Sequence, residues 1–137
     1  MSRLFSRPGR ADRGAAAVEF ALVLPLLLLM LFGLIDFGRA LNAQITLTQA
    51  AREGVRLAAL QQPGVEDRTR AAAEPMTGVT VSVTACPANP APTDDAVVLA
   101  QQDFTFITPI DSIADLFGGG LGSSFQLTGK GVMRCLG

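Results

Sequence analysis

The sequence predicts an α+β chain in which one long N-terminal helix, apolar through its first half, packs on a small antiparallel β-sheet. Three observations lead there. From Phe20 to Ile35 no residue carries a charge. From Phe37 onward no proline interrupts the chain until Pro63, and apolar residues keep a helical spacing. Beyond Pro75 the pattern changes to short alternating runs rich in valine, threonine and phenylalanine, separated by Pro-, Gly- and Asp-rich segments.

Composition narrows the range of functions. At 137 residues the chain suits one compact domain with an appended segment. A formal net charge of -1 weighs against a nucleic-acid binder, which relies on neutralising phosphates. There is no His, Trp or Tyr, so the commonest general base and metal ligand is missing. No set of carboxylates, hydroxyls or the two cysteines has a catalytic spacing. The expectation is a non-enzyme with no cofactor, no metal site and no small-molecule substrate. Gly118-Gly119-Gly120 lacks the following Lys-Ser/Thr of a phosphate loop and reads as linker.

Residues 1–14 are a basic segment, with Arg3, Arg7, Arg10 and Arg13 against the single acid Asp12. Residues 15–36 form the membrane-spanning half of the helix. The run of about twenty residues from Ala15 to Ile35, with Glu19 its only charge, is long enough to cross a hydrocarbon core of ~30 Å. Arginines before it and none until Arg39 after it predict an inside N-terminus and an outside C-terminal domain. A cleaved secretory signal fits less well. The run exceeds the usual apolar region of roughly 7–15 residues, and no small-x-small site follows it. Pro25 removes a backbone donor and predicts a kink, which membrane helices tolerate.

Glu19 is the exception in this run. A charge at the centre of a membrane helix costs ~2.5–3.5 kcal/mol. Glu19 lies six residues after Arg13, about 9 Å deeper, so it can reach the headgroups as a border residue. A second reading starts from a cut between Gly14 and Ala15. Ala15 then carries a new ammonium group, and Glu19 lies one helical turn away. A first-turn carboxylate is favoured by the helix dipole. At 4 Å and an effective dielectric near 20, the attraction to an ammonium is about 4 kcal/mol, enough to offset burial.

Residues 37–62 continue the helix outside the membrane. One helix from about Ala15 to Gln61 is roughly 70 Å long. Leu41, Ile45, Thr48, Arg52 and Val55 follow helical spacing, with Ala51, Gly54 and Ala58 as a small-residue seam beside them. The seam predicts close packing, on the sheet in the first reading and against a neighbouring subunit in the alternative. In "AAREGVR", Glu53 and Arg56 are spaced for an i, i+3 pair.

Residues 63–137 form a small globular domain. "QQPG" ends the long helix, and "VEDRTRAAAEPM" reads as a short second helix stopped by Pro75. Three strands follow, in "GVTVSVTAC", "AVVLAQQDFTFI" and "SFQLTGKGVMRC". The segments between them are loops. The second loop is expected to hold a helical turn around Ile113 to Phe117, with Leu116, Phe117 and Leu121 folding back as a lid on the sheet; the alternative is an exposed docking loop. Cys86 and Cys135 lie at strand ends on the predicted outer side, where oxidising conditions favour a disulfide. A loop of about 50 residues closed this way stabilises by roughly 4 kcal/mol. The rival reading, a redox-active thiol pair, lacks a CxxC spacing.

Gly14, four residues, then Glu19-Phe20 leading into an apolar helix resembles a type IV prepilin processing site. The longer stretch "RGAAAVEFALVLPLLLLMLFGLIDFGRALNAQITLTQAAREGVRLAA" is similar to the TadE-like family, minor pilins or pseudopilins of the tight-adherence (Tad) pilus system. The shared marks are RG-x-x-x-V-E-F-A, the proline in the membrane helix, the Gly-Arg after an acid, and AAREG-x-R. "TACP" and the closing "VMRC" agree in type and spacing. The resemblance implies a type IV pilin-like fold. It also implies a subunit acting in assembly, initiation or at the tip of a Tad-type pilus after a prepilin peptidase cuts at Gly14-Ala15. Phe20, where major pilins carry Tyr, points to a minor subunit.

The implied partners are the major pilin, other minor pilins, the prepilin peptidase, the inner-membrane assembly platform and the membrane itself. The implied location is the inner membrane as a single-pass protein, and after processing the extracellular pilus. The alternative is a permanently anchored, uncleaved envelope scaffold or adhesin mount.

Overall fold

A computed structural model of the chain describes residues 10–109, 112, 115, 118, 119, 122 and 124–135. Its dominant element is helix α1, Arg10–Ala59, 50 residues long with Pro25 inside it. It begins earlier than the expected Ala15 because the alanine-rich stretch up to Ala17 contains no breaker stronger than Gly14. It ends slightly before the expected Gln61. Gln61 takes a left-handed conformation at φ 54. Its N–H bonds the Ala58 carbonyl at 3.1 Å, and the Gln62 N–H bonds the Leu57 carbonyl at 3.0 Å. This is a Schellman closure of the last turn, and Pro63 beyond it forbids continuation.

Helix α2, Val65–Ala72, is the predicted second helix, shorter than its sequence pattern because the turn before Pro75 closes it early. Three antiparallel strands follow, β1 (Thr80–Thr84), β2 (Asp95–Thr105) and β3 (Ser124–Arg134), in the order β1-β2-β3. The predicted α+β layout, a long N-terminal apolar helix on a small antiparallel sheet, is what the chain adopts. The expected helical turn at Ile113 to Phe117, and the lid of Leu116, Phe117 and Leu121, lie outside the described residues.

The register sets which residues line the sheet's inner face. Val81 sits opposite Ala100, which sits opposite Gly129; Val83, Val98 and Gly131 form the next row. Phe104 pairs with Phe125 at the end of the sheet nearest the membrane half of α1. Side chains alternate faces along a strand, so Gly129 and Gly131 both point at α1. A Cβ on Gly129 would collide with the backbone of Leu47, and one on Gly131 with the Ala51 carbonyl. The two glycines thus let the helix backbone lie directly on β3.

That contact decides how α1 is rotated. Its buried row is Ala40, Leu47, Ala51, Val55 and Ala58, which pack with Ala96, Val98 and Ala100 of β2. The small-residue seam of Ala51, Gly54 and Ala58 is buried in the fold, as expected of helix packing. Of the helically spaced set, Val55 is buried and Thr48 half-buried, while Leu41, Ile45 and Arg52 face outward. The close approach of the Leu47 and Ala51 backbone to Gly129 and Gly131 fixes which side of α1 faces the sheet, and Leu41 and Ile45 lie on the other side. Gly54 serves α2 in the same way: a Cβ there would overlap the hydroxyl of fully buried Thr69. That hydroxyl donates to the Val65 carbonyl at 2.7 Å.

Candidate functional site

The N-terminal half of α1 carries the residues singled out in the sequence. Gly14, Ala15, Glu19 and Phe20 all lie on the helix with exposed positions, and space around Gly14 is open. Ala15 and Glu19 are four residues apart, so the carboxylate stands about 6 Å further along the same helix face. The structure therefore keeps Glu19 within one turn of the atom that would become a free amine. Pro25 lies inside α1 without ending it.

Among the described residues, the apolar window of this half is left unburied. Val18, Phe20, Leu22, Leu26, Met30 and Leu34 are all exposed, and the most apolar window of α1 has a mean hydropathy of 2.6 with none of it buried. An unbroken apolar surface of this size needs lipid or other subunits around it. By length and composition α1 can cross a membrane once.

Where the apolar run ends, Asp36 is buried with 1% of its surface exposed. Its carboxylate accepts a hydrogen bond from the Arg39 guanidinium at 2.9 Å. It also accepts from the backbone N–H groups of Ile107 and Thr108, each at 3.3 Å, and from the Thr108 hydroxyl. Arg39 lies 5.0 Å over the Phe104 ring, a cation–π contact that orients it. Four donors on one buried carboxylate tie the end of β2 to the start of the extramembrane helix.

Asp36 belonged to the acid-Gly-Arg mark in the sequence but had no role there. The signal available was an acid closing an apolar run, with an Arg three residues on. Asp36→Ala is expected to lower the stability of the globular domain by about 3 kcal/mol, because it strips partners from charged and backbone donors. Urea unfolding of the detergent-solubilised chain measures this. A loss below ~1 kcal/mol would show the clamp to be idle.

At the opposite end of the domain Cys86 and Cys135 form the expected disulfide, with Cα atoms 5.8 Å apart. The Cys135 N–H also bonds the Asp94 carbonyl at 2.9 Å. The charged face of α1 departs from its predicted pairing. Glu53 pairs with Arg68 of α2 at 3.7 Å rather than with Arg56, because α2 crosses α1 at Gly54 and brings Arg68 over Glu53. Arg52 and Arg56 line an open groove with Gln49 and Ala72. Among the described residues no group of three His, Cys, Asp or Glu side chains converges.

Comparison with known proteins supports the resemblance over the helical half. A family model described as TadE-like protein matches residues 14–56, from the Gly14 junction through the "AAREGVR" run. This stretch is similar to a Tad pilus-associated, structural family, and the match stops before α2 and the sheet. No curated protein and no solved structure matches the chain.

Proposed function

We propose that the chain is a minor pilin or pseudopilin. It acts in assembly, initiation or at the tip of a Tad-type pilus after a prepilin peptidase removes residues 1–14. The observation that carries this reading is one continuous 50-residue helix that holds the Gly14/Glu19-Phe20 arrangement near its start and whose apolar window is unburied among the described residues. A structural role, with no reaction of its own, follows from the same reading.

The leader anchors the chain. Four arginines on anionic lipid hold it at ~1 kcal/mol each. Their removal lowers the cost of lifting the helix from the bilayer. Glu19 then pairs with the Ala15 amine, its own or a neighbour's, and fixes docking register where a lone carboxylate would be costly. Pro25 supplies a kink in the spanning half. Beyond the span, outward-facing Leu41 and Ile45 prolong the apolar surface into the extramembrane half, suiting contact with helices of the major pilin and sister minor pilins. The chain divides into a leader (1–14), a spanning half (15–36), an outer half (37–62) and a head (63–137). The head stands on the outer side of the inner membrane before assembly, and the assembly platform and peptidase act from the membrane.

The second reading is an uncleaved, permanently anchored scaffold or adhesin mount. It is favoured by one observation: α1 starts at Arg10, so the Gly14-Ala15 bond lies within helix rather than in an extended segment. The N-terminal mass of protein purified from its native membrane separates the two. A chain starting at Ala15 supports the pilin reading, and Glu19→Ala is then expected to keep the head folded while abolishing incorporation into pili. A chain retaining Arg3 to Arg13 beside an active peptidase leaves the anchored scaffold.

A further inference from the structure

The head presents an apolar surface at the level where the helix leaves the membrane. Asp36 closes the apolar run, so it lies within a turn or two of the bilayer surface. Its hydrogen bonds to the Ile107 and Thr108 N–H groups fix that segment at the same height. Ile107 is 66% exposed there, and Phe37, next to Asp36 on the helix, is 63% exposed. Phe125 is 42% exposed, with its ring centroid 5.8 Å from that of Phe106. Aromatic and aliphatic side chains gathered at one end of a domain mark an interaction surface rather than scattered exposure.

We infer that this end of the head, through Ile107 and Phe125 with Phe37 beside them, inserts into the headgroup–acyl boundary of the bilayer. The inference rests on the reading of residues 15–36 as a membrane span. Two features favour lipid over a protein partner. Phe37 at its edge belongs to the exposed apolar residues that α1 carries from Val18 onward. Arg39, the first cation after the span, is partly exposed beside it while held against Asp36 and Phe104. A guanidinium at that height meets lipid phosphates, and apolar side chains such as Phe and Ile at that height bury into the headgroup–acyl boundary. The head would thus rest on the bilayer, with its orientation fixed at two points.

The chain has no tryptophan, so a single introduced indole reports one depth. Ile107→Trp and Phe125→Trp are compared in vesicles of anionic and zwitterionic lipid. Leu27→Trp is the control inside the span, and Val132→Trp the control on the exposed face of the sheet. With lipids brominated near the headgroup end of the acyl chains, residues 107 and 125 are expected to emit blue-shifted from 132 and to lose emission to bromine. Adding Ile107→Asp to the Phe125→Trp chain is expected to reverse that loss.

Quenching at 27 but not at 107 and 125 would overturn the inference and leave the span intact. No quenching at 27 would overturn the span reading and this inference with it. A blue shift at 107 that is insensitive to bromine and vanishes as protein is diluted in lipid would assign the surface to a second copy, and would also overturn it.

Discussion

Replacing Gly129 and Gly131 together with alanine is expected to unseat α1 from the sheet and to destabilise the head by about 3 kcal/mol or more. Each added methyl would meet helix backbone, at Leu47 for one and at Ala51 for the other, and backbone has no rotamer to yield. Overpacking of this kind costs ~1–3 kcal/mol at one site. Two sites on one strand push the same helix in the same direction. The head has only about 75 residues, and domains of that size hold few kcal/mol in reserve. Lys130→Ala, on the opposite face between the two glycines, is the control and is expected within ±0.5 kcal/mol of wild type. Urea unfolding in detergent, followed by far-UV circular dichroism, reads all three. A double alanine within ~1 kcal/mol of wild type would mean that the helix can ride higher on the sheet without loss.

The glycines also explain where the sequence was readable and where it was not. The long helix and three strands are legible because their periods are local: an uninterrupted apolar run, alternating valines, and prolines that stop helices. The rotation of α1 is not legible locally. Leu41 and Ile45 share a helical spacing with buried Val55, yet the side of α1 that faces the sheet is set by Gly129 and Gly131, some eighty residues away in β3.

Candidate-site residues divide along the same line. Gly14, Glu19 and Phe20 sit in one short motif and can be found by reading it. Asp36 depends on Ile107 and Thr108, which lie 71 and 72 residues later in the chain. Its clamp therefore becomes visible only once the sheet is built. The Glu53–Arg68 pair was missed for the same reason, since α2 has to cross α1 before the two charges meet.

The second large effect is expected from Cys86→Ser with Cys135→Ser. The bridge closes 49 residues of sequence, which in the chain-entropy model stabilises by roughly 4 kcal/mol. This loss should fall first on β3. Among the described residues the strand pairs with β2 alone, and the bridge holds its C-terminal end where the Cys135 N–H meets the Asp94 carbonyl. Because β3 also carries the glycine floor, a frayed β3 end should loosen the Ala51–Ala58 stretch of α1, while residues 20–35 stay as they were. Amide hydrogen exchange in nanodiscs distinguishes these regions. Protection is expected to fall across β3 and residues 47–59 and to persist through residues 20–35. Combining the double serine with Gly131→Ala should cost less than the sum of the two, since a strand already released has less packing left to lose. Full additivity would mean that the bridge and the glycine floor stabilise the head independently, and that the route from disulfide to helix through β3 is not the one the protein uses.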